Sequence, residues 1–262
     1  MRVSLTLFLV LWLTGCGLLP TATDEDKNAS AQKLYSVATE AMSSADYEKA
    51  VKYFELLEAR FPYGRYAQQA QLEIAYAYYK AREPASAIAA CDRFIKLHPN
   101  HGSVDYAYYL KGLVNFNEDA GFLGYVVTQD LTDRDPKAAR DSFESFKELT
   151  TKFPESKYAP DALKRMNYLV NALASHESQV AQYYYRRGAY VAAVNRAQSL
   201  LSTYPETPAT EAALAVLVRG YDKMGLPDLS KDAQRVLEKT FPNSAYLKGA
   251  PIGLGKPWYQ IW

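Results

Sequence analysis

The chain has 262 residues, 48% hydrophobic and 23% charged, which suits one large folded domain or two ordinary ones and does not suit a disordered chain. Thirty Lys+Arg against 29 Asp+Glu leave a net charge of +1, which argues against a nucleic-acid binder that needs a basic face. Two cysteines and three histidines exclude a disulfide framework and leave few ways to build a metal site, whereas 22 tyrosines demand an explanation.

The chain opens with Arg2 and an apolar run from Val3 to Leu13, interrupted only by Ser4 and Thr6. Eleven residues cover about half of the ~30 Å hydrocarbon core, so this run is too short to span a membrane stably. A positive start, a short apolar stretch and a small-residue exit indicate an export signal over 1–15. The exit, Leu13-Thr14-Gly15-Cys16, resembles the bacterial lipobox. That resemblance implies cleavage before Cys16, a diacylglycerol on its sulfur and an acyl chain on the new amino terminus; the alternative is an ordinary signal peptide with an incidental Cys. Gly17, where an Asp would signal retention, resembles an outer-membrane sorting signal. Residues 16–30, with Pro20 and Asp24-Glu25-Asp26, are a flexible tether. Cys91 then has no intramolecular partner and is expected to be a buried free thiol.

From residue 31 the chain is a repeat. An aromatic or His followed by Pro closes a helical apolar run five times, at Phe61-Pro62, His98-Pro99, Phe153-Pro154, Tyr204-Pro205 and Phe241-Pro242. The prolines are spaced by 37, 55, 51 and 37 residues, so the third and fourth units each carry an excess over a 37-residue period. Upstream of each Pro, small and aromatic residues recur at helical steps: Ala50, Phe54 and Leu57; Ala87, Cys91 and Phe94; Phe146 and Leu149; Ala193, Ala197 and Leu200; Leu237. These residues resemble the tetratricopeptide repeat (TPR), in which small residues let paired helices approach and Pro stops the second helix. The expected fold is all-α, a solenoid of five TPR-like helix pairs with an insertion in the third repeat. Repeats 1–3 fill 31–155 and repeats 4–5 fill 156–248; residues 249–262 form a Pro/Gly/aromatic tail. Asp135-Pro136, Thr207-Pro208 and Glu83-Pro84 place Pro at the first helical position, with Asp135 and Thr207 as N-caps. The insertion, Asn117 to Asp135, holds Asp130, Asp133 and Asp135 but lacks the turn Gly and bidentate Glu of a Ca²⁺ loop. A functional loop fits it better.

Tyr76-Ala77-Tyr78-Tyr79 and Tyr106-Ala107-Tyr108-Tyr109 put rings on successive helical positions that cannot all share one buried stripe. With Tyr78 at a core position, Tyr76 and Tyr79 fall toward a groove, joined by Tyr35 from the first repeat. The alternative is that these rings pack at helix contacts with their hydroxyls wet. An aromatic groove suits an extended or helical peptide. His98, His101 and His176 lack a matched nucleophile, and no phosphate loop or nucleophile elbow occurs, so no enzyme, no metal and no cofactor beyond the Cys16 lipid are expected.

Four segments narrow the resemblance: Arg60-Phe61-Pro62-Tyr63-Gly64-Arg65-Tyr66, Ile74-Ala75-Tyr76-Ala77-Tyr78-Tyr79-Lys80, Asp133-Arg134-Asp135-Pro136 and Arg187-Gly188-Ala189-Tyr190-Val191-Ala192-Ala193-Val194-Asn195-Arg196. With the lipobox they resemble the BamD family of outer-membrane β-barrel assembly lipoproteins (ComL/YfiO-like), over nearly the whole mature chain. The resemblance implies a scaffold anchored by lipid at the periplasmic face of the outer membrane of a Gram-negative bacterium. It implies docking of the C-terminal repeats on the POTRA domains of BamA, company with other BAM lipoproteins, and reception of unfolded barrel precursors by the N-terminal repeats. Carried onto this sequence, Arg196 becomes the BamA contact with Arg187 and Tyr184 nearby, and Tyr35, Tyr63, Tyr76 and Tyr79 become precursor contacts. A pilotin for a type IV pilus secretin and an adaptor of peptidoglycan enzymes are the alternatives. The tail ending Trp258-Tyr259-Gln260-Ile261-Trp262 departs from the pattern. It is either a strap over the last repeat, since terminal repeats need caps, or a mimic of a barrel precursor's aromatic end in a peptide groove.

Overall fold

Apolar residues at three- and four-residue steps give each segment one buried stripe, and the described residues fold into a run of helices. The computed structural model describes residues 29–117 and 136–253. Within them lie α1 (Ala31–Ser43), α2 (Tyr47–Arg60), α3 (Arg65–Lys80), α4 (Pro84–Leu97), α5 (Val104–Asn117), α6 (Lys137–Lys152), α7 (Ala159–Arg186), α8 (Tyr190–Thr203), α9 (Ala209–Lys223) and α10 (Pro227–Thr240). These are five helix pairs, and no strand occurs among the described residues. The expected export signal, Cys16, most of the expected tether, all of the expected Asn117–Asp135 insertion but its first residue, and the Trp258–Trp262 end lie outside the described residues.

The second helix of every pair ends the same way. Phe61, His98, Phe153, Tyr204 and Phe241 sit at φ near −130° and ψ near +60°. Each donates its N–H to the carbonyl four residues back at 2.8 Å. The following Pro excludes the α region for the residue before it, so the helix stops there. Within four pairs the turn also repeats. Ala45, Arg82, Gly188 and Gly225 take positive φ of 60°, 62°, 76° and 72°. The next residue's N–H closes back on the carbonyl of Ala41, Tyr78, Tyr184 or Tyr221 at 2.9–3.0 Å. Pro84 begins α4 as expected. Thr207 does not cap α9: its hydroxyl donates to the Tyr204 carbonyl at 3.0 Å, and Pro208 stands at the cap position. The tight turn after Tyr204 supplies that nearer acceptor.

The chain divides inside α3 into two compact units, residues 1–77 and 78–262. In the first, α1 packs on α2, with Leu34, Ala38, Ala41, Ala50, Phe54 and Leu57 buried. In the second, each helix from α4 packs on the next, and α7 also meets α9. Close approach is built in: a Cβ on Gly112 of α5 would lie 2.4 Å from the Phe146 ring of α6, and Ser142 donates to the Gly112 carbonyl at 2.9 Å. One core gathers Phe146, Leu149, Ala162 and Leu169; another gathers Ala193, Ala197, Leu200, Leu214, Leu217 and Leu237. Cys91 is fully buried and its thiol is pushed up to about 12, chiefly by burial and then by Asp92.

The long fourth repeat is explained by α7. Its 28 residues run about 42 Å, so the excess is helix and not loop. At the other end, the root of the tail is fastened to the second unit. Arg219 donates to the Ala250 carbonyl at 2.5 Å and Arg186 to the Gly253 carbonyl at 2.7 Å. Between them Ile252 is 7% exposed, inside the C-terminal core. Residues 249–253 are therefore a strap over that core.

Candidate partner-binding sites

In the first unit, Tyr35 on α1 meets Phe54 edge-on at 5.6 Å and Tyr66 at 5.5 Å, and Arg65 stacks on Tyr66 at 5.1 Å. Burial, then the Glu73 carboxylate, raises the Tyr35 phenol above its ordinary range. Tyr35 is thus a half-buried member of an aromatic cluster. Tyr63 differs: it stands in the turn after Pro62 at 93% exposure, the most extended apolar surface offered by any of the sequence-derived candidates. Tyr76, of this unit, and Tyr79, which falls just past the division in the second unit, are each half-buried on α3, three residues apart and therefore on one side of that helix.

In the second unit, the end of α7 and the start of α8 carry the other group. Arg187, fully exposed, donates Nε to the Tyr183 hydroxyl at 3.3 Å and stacks over that ring at 5.5 Å. Tyr184 turns inward and packs on the C-terminal core; Tyr183, at 47% exposure, is the ring presented outward. Its i,i+4 spacing to Arg187 was available in the sequence as a local signal.

Arg196 is already engaged. On α8 its Nη1 donates to Glu177 Oε2 of α7 at 3.1 Å, and Arg140 Nη2 on α6 lies 3.9 Å from Glu177 Oε1. Burial raises the phenol of Tyr204, the residue after α8, and the Arg140 cation opposes that rise. Glu177 and Arg140 have no local signal, being 19 and 56 residues from Arg196. Sequence spacing does not bring them together; the packing of three helices does.

A family model described as YfiO, outer membrane lipoprotein, matches residues 27–237. The chain belongs to the YfiO outer membrane lipoprotein family. The match covers all ten helices except the last residues of α10. Curated relatives carry the name outer membrane protein assembly factor BamD, and two of them serve as examples. One, from Neisseria meningitidis serogroup B, is 48% identical over 100% of this chain and 99% of its own length. The other, from Xylella fastidiosa, is 39% identical over 95% and 84%. Among solved structures, the P58(IPK) TPR domain is similar with a TM-score of 0.41 and 16% identity, over 82% of this chain and 52% of that one. The all-α assignment stands on the helix pairs of the YfiO-family chain itself. No helix among the described residues is long and apolar enough to cross a membrane.

Proposed function

We infer that this chain is an outer-membrane protein assembly factor, a scaffold and not a catalyst. The observation that carries the reading is the full-length match, at 48% identity, to a chain named for that role. The finer reading combines it with the sequence. Cys16 carries the diacylglycerol and acyl chains that hold the protein at the periplasmic face of the outer membrane; three chains at ~0.8 kcal/mol per buried CH₂ suffice for stable anchoring. The α7–α8 face, with Arg196 and Arg187, docks on the POTRA domains of BamA. Tyr183 joins this face, and Tyr184 supports it from the core side. Tyr63, Tyr76 and Tyr79 receive the C-terminal segment of unfolded barrel precursors, and Tyr35 shapes that surface through its packing on Phe54 and Tyr66. Rigid rings give large contact area at low entropic cost.

Native purification of the tagged, lipidated protein in detergent, with mass spectrometry of stoichiometric partners, tests the reading. A POTRA-bearing barrel protein is the expected partner. Recovery of a secretin, or of cell-wall enzymes without a barrel insertase, would overturn it.

A further inference from the structure

The strap leaves the C-terminal core at one fixed point. Gly253 takes a φ of 77°, its carbonyl accepts from Arg186 Nη1 at 2.7 Å, and a Cβ on it would overlap the Arg186 guanidinium. Residue 254 therefore starts beside the last turn of α7. On that turn Tyr183 is 47% exposed, three residues before Arg186 and so its neighbour on the helix surface. Its ring meets Tyr184 edge-on at 5.9 Å and carries the Arg187 guanidinium at 5.5 Å. Arg187 is exposed, so the face of its planar guanidinium turned away from Tyr183 is open to a second ring. The residues that follow Gly253 supply such rings. Residues 254–262 hold Trp258, Tyr259 and Trp262, and their one charged side chain is Lys256. Having no carboxylate, they offer a guanidinium the faces of their rings, and Trp is the strongest ring for that contact. The five residues from Gly253 to Trp258 reach up to about 17 Å, whereas Tyr183 lies within one helical turn of Arg186, about 5 Å away along the axis. The tether is long enough to bend back, and it keeps the rings at high effective concentration beside Arg187.

We propose that residues 254–262 dock back on their own chain, placing an indole over Arg187 beside Tyr183, so that the tail covers the turn between α7 and α8. The docking stands apart from the reading of this face as a partner contact, and its test uses no partner. An exposed cation–π contact shifts an equilibrium only about two- to fivefold, so the tail is a displaceable cover and adds little to the melting temperature.

Trp12 lies in the expected export signal, so residues 16–262 contain only Trp258 and Trp262, and tryptophan emission from that chain reports on the tail alone. The full mature chain, with Cys16→Ser so that no acyl chain or detergent micelle competes for the indoles, is titrated with acrylamide as quencher, and melting curves verify folding. Its indoles are expected to be quenched about threefold less than those of the free peptide 249–262 in the same buffer. Tyr183→Ser and Arg187→Gln, both at exposed side chains, are each expected to raise quenching about twofold. Tyr168→Ser, at another exposed tyrosine of α7, is expected to leave it unchanged. Quenching equal to that of the free peptide, shielding that survives either of the first two substitutions, or an equal rise in Tyr168→Ser overturns the docking site. Shielding lost on dilution assigns the rings to a second copy of the chain and overturns docking on its own chain.

Discussion

Ala45, Arg82, Gly188 and Gly225 occupy one structural position, the left-handed residue that lets the first helix of a pair fold back into the second. Only glycine holds positive φ without a steric cost, which for other residues is about 1–2 kcal/mol. Arg82→Gly is therefore expected to raise stability by about 0.5–1 kcal/mol after the entropy of the freer unfolded chain is counted. Gly188→Ala, where nothing lies within 4 Å of the added methyl, is expected to lower it by about 1 kcal/mol from backbone strain alone. Urea midpoints of the two variants check both signs. Cys91 supports a second prediction at this scale. With its thiol pushed up to about 12 by burial, the thiolate that reacts with disulfide reagents is scarce in the folded protein at pH 8. The native protein is expected to give no fast thiol reaction, and the mature denatured protein one equivalent. Two equivalents would show that the Cys16 sulfur carries no diacylglycerol.

At the scale of elements, the junction between the third and fourth pairs is a small polar network. Tyr109 of α5 donates to Asp161 Oδ2 at 2.7 Å, Arg165 donates to the same oxygen at 2.6 Å, and Tyr109 stacks on Tyr158 at 4.7 Å. The Tyr109 hydroxyl, then Arg165, holds the Asp161 carboxyl below its usual range. A depressed carboxyl contributes stability that is present above the ordinary carboxylate pKa near 4 and is lost as pH falls through its lower folded value. Tyr109→Phe is expected to cost under about 1 kcal/mol at pH 7, because Asp161 is half exposed, and to flatten the decline of stability below pH 5. Melting temperatures of both proteins from pH 7 to pH 3 measure it. The helix pairs were legible in advance because Pro fixes where each second helix stops, and because Ala50, Phe54 and Leu57 or Ala193, Ala197 and Leu200 mark a stripe by periodicity alone. Thr207 was misread because a hydroxyl beside a Pro at a helix start has two acceptors within reach, and only the folded turn decides between capping and the Tyr204 carbonyl. The length of α7 was hidden for a related reason: a 14-residue excess over the repeat period has the same spacing whether it is helix or loop. Arg140 and Glu177 were invisible beside Arg196, since residues that meet only through packing leave no spacing to read.

For the whole molecule, the decisive feature is how the last repeat is closed. A stack of helix pairs leaves an apolar face at its end, and exposing it costs stability and solubility. Here Ile252 enters the C-terminal core while Arg186 and Arg219 grip the carbonyls of Gly253 and Ala250. The strap's contacts lie within residues 249–253, so two truncations distinguish it from the aromatic residues beyond. Truncation after Lys248 is expected to lower stability by about 2–4 kcal/mol, the range for losing a buried Ile side chain. Truncation after Gly253 is expected to leave the melting temperature unchanged within a degree or two, and this second variant isolates the role of Trp258 to Trp262. If those residues imitate the aromatic end of a barrel precursor, a protein ending at Gly253 binds a precursor's C-terminal peptide more tightly than the full chain does. Fluorescence titration of both proteins with one such peptide decides it: equal affinities would leave the aromatic end without a role in peptide binding, while the strap stands on its own contacts.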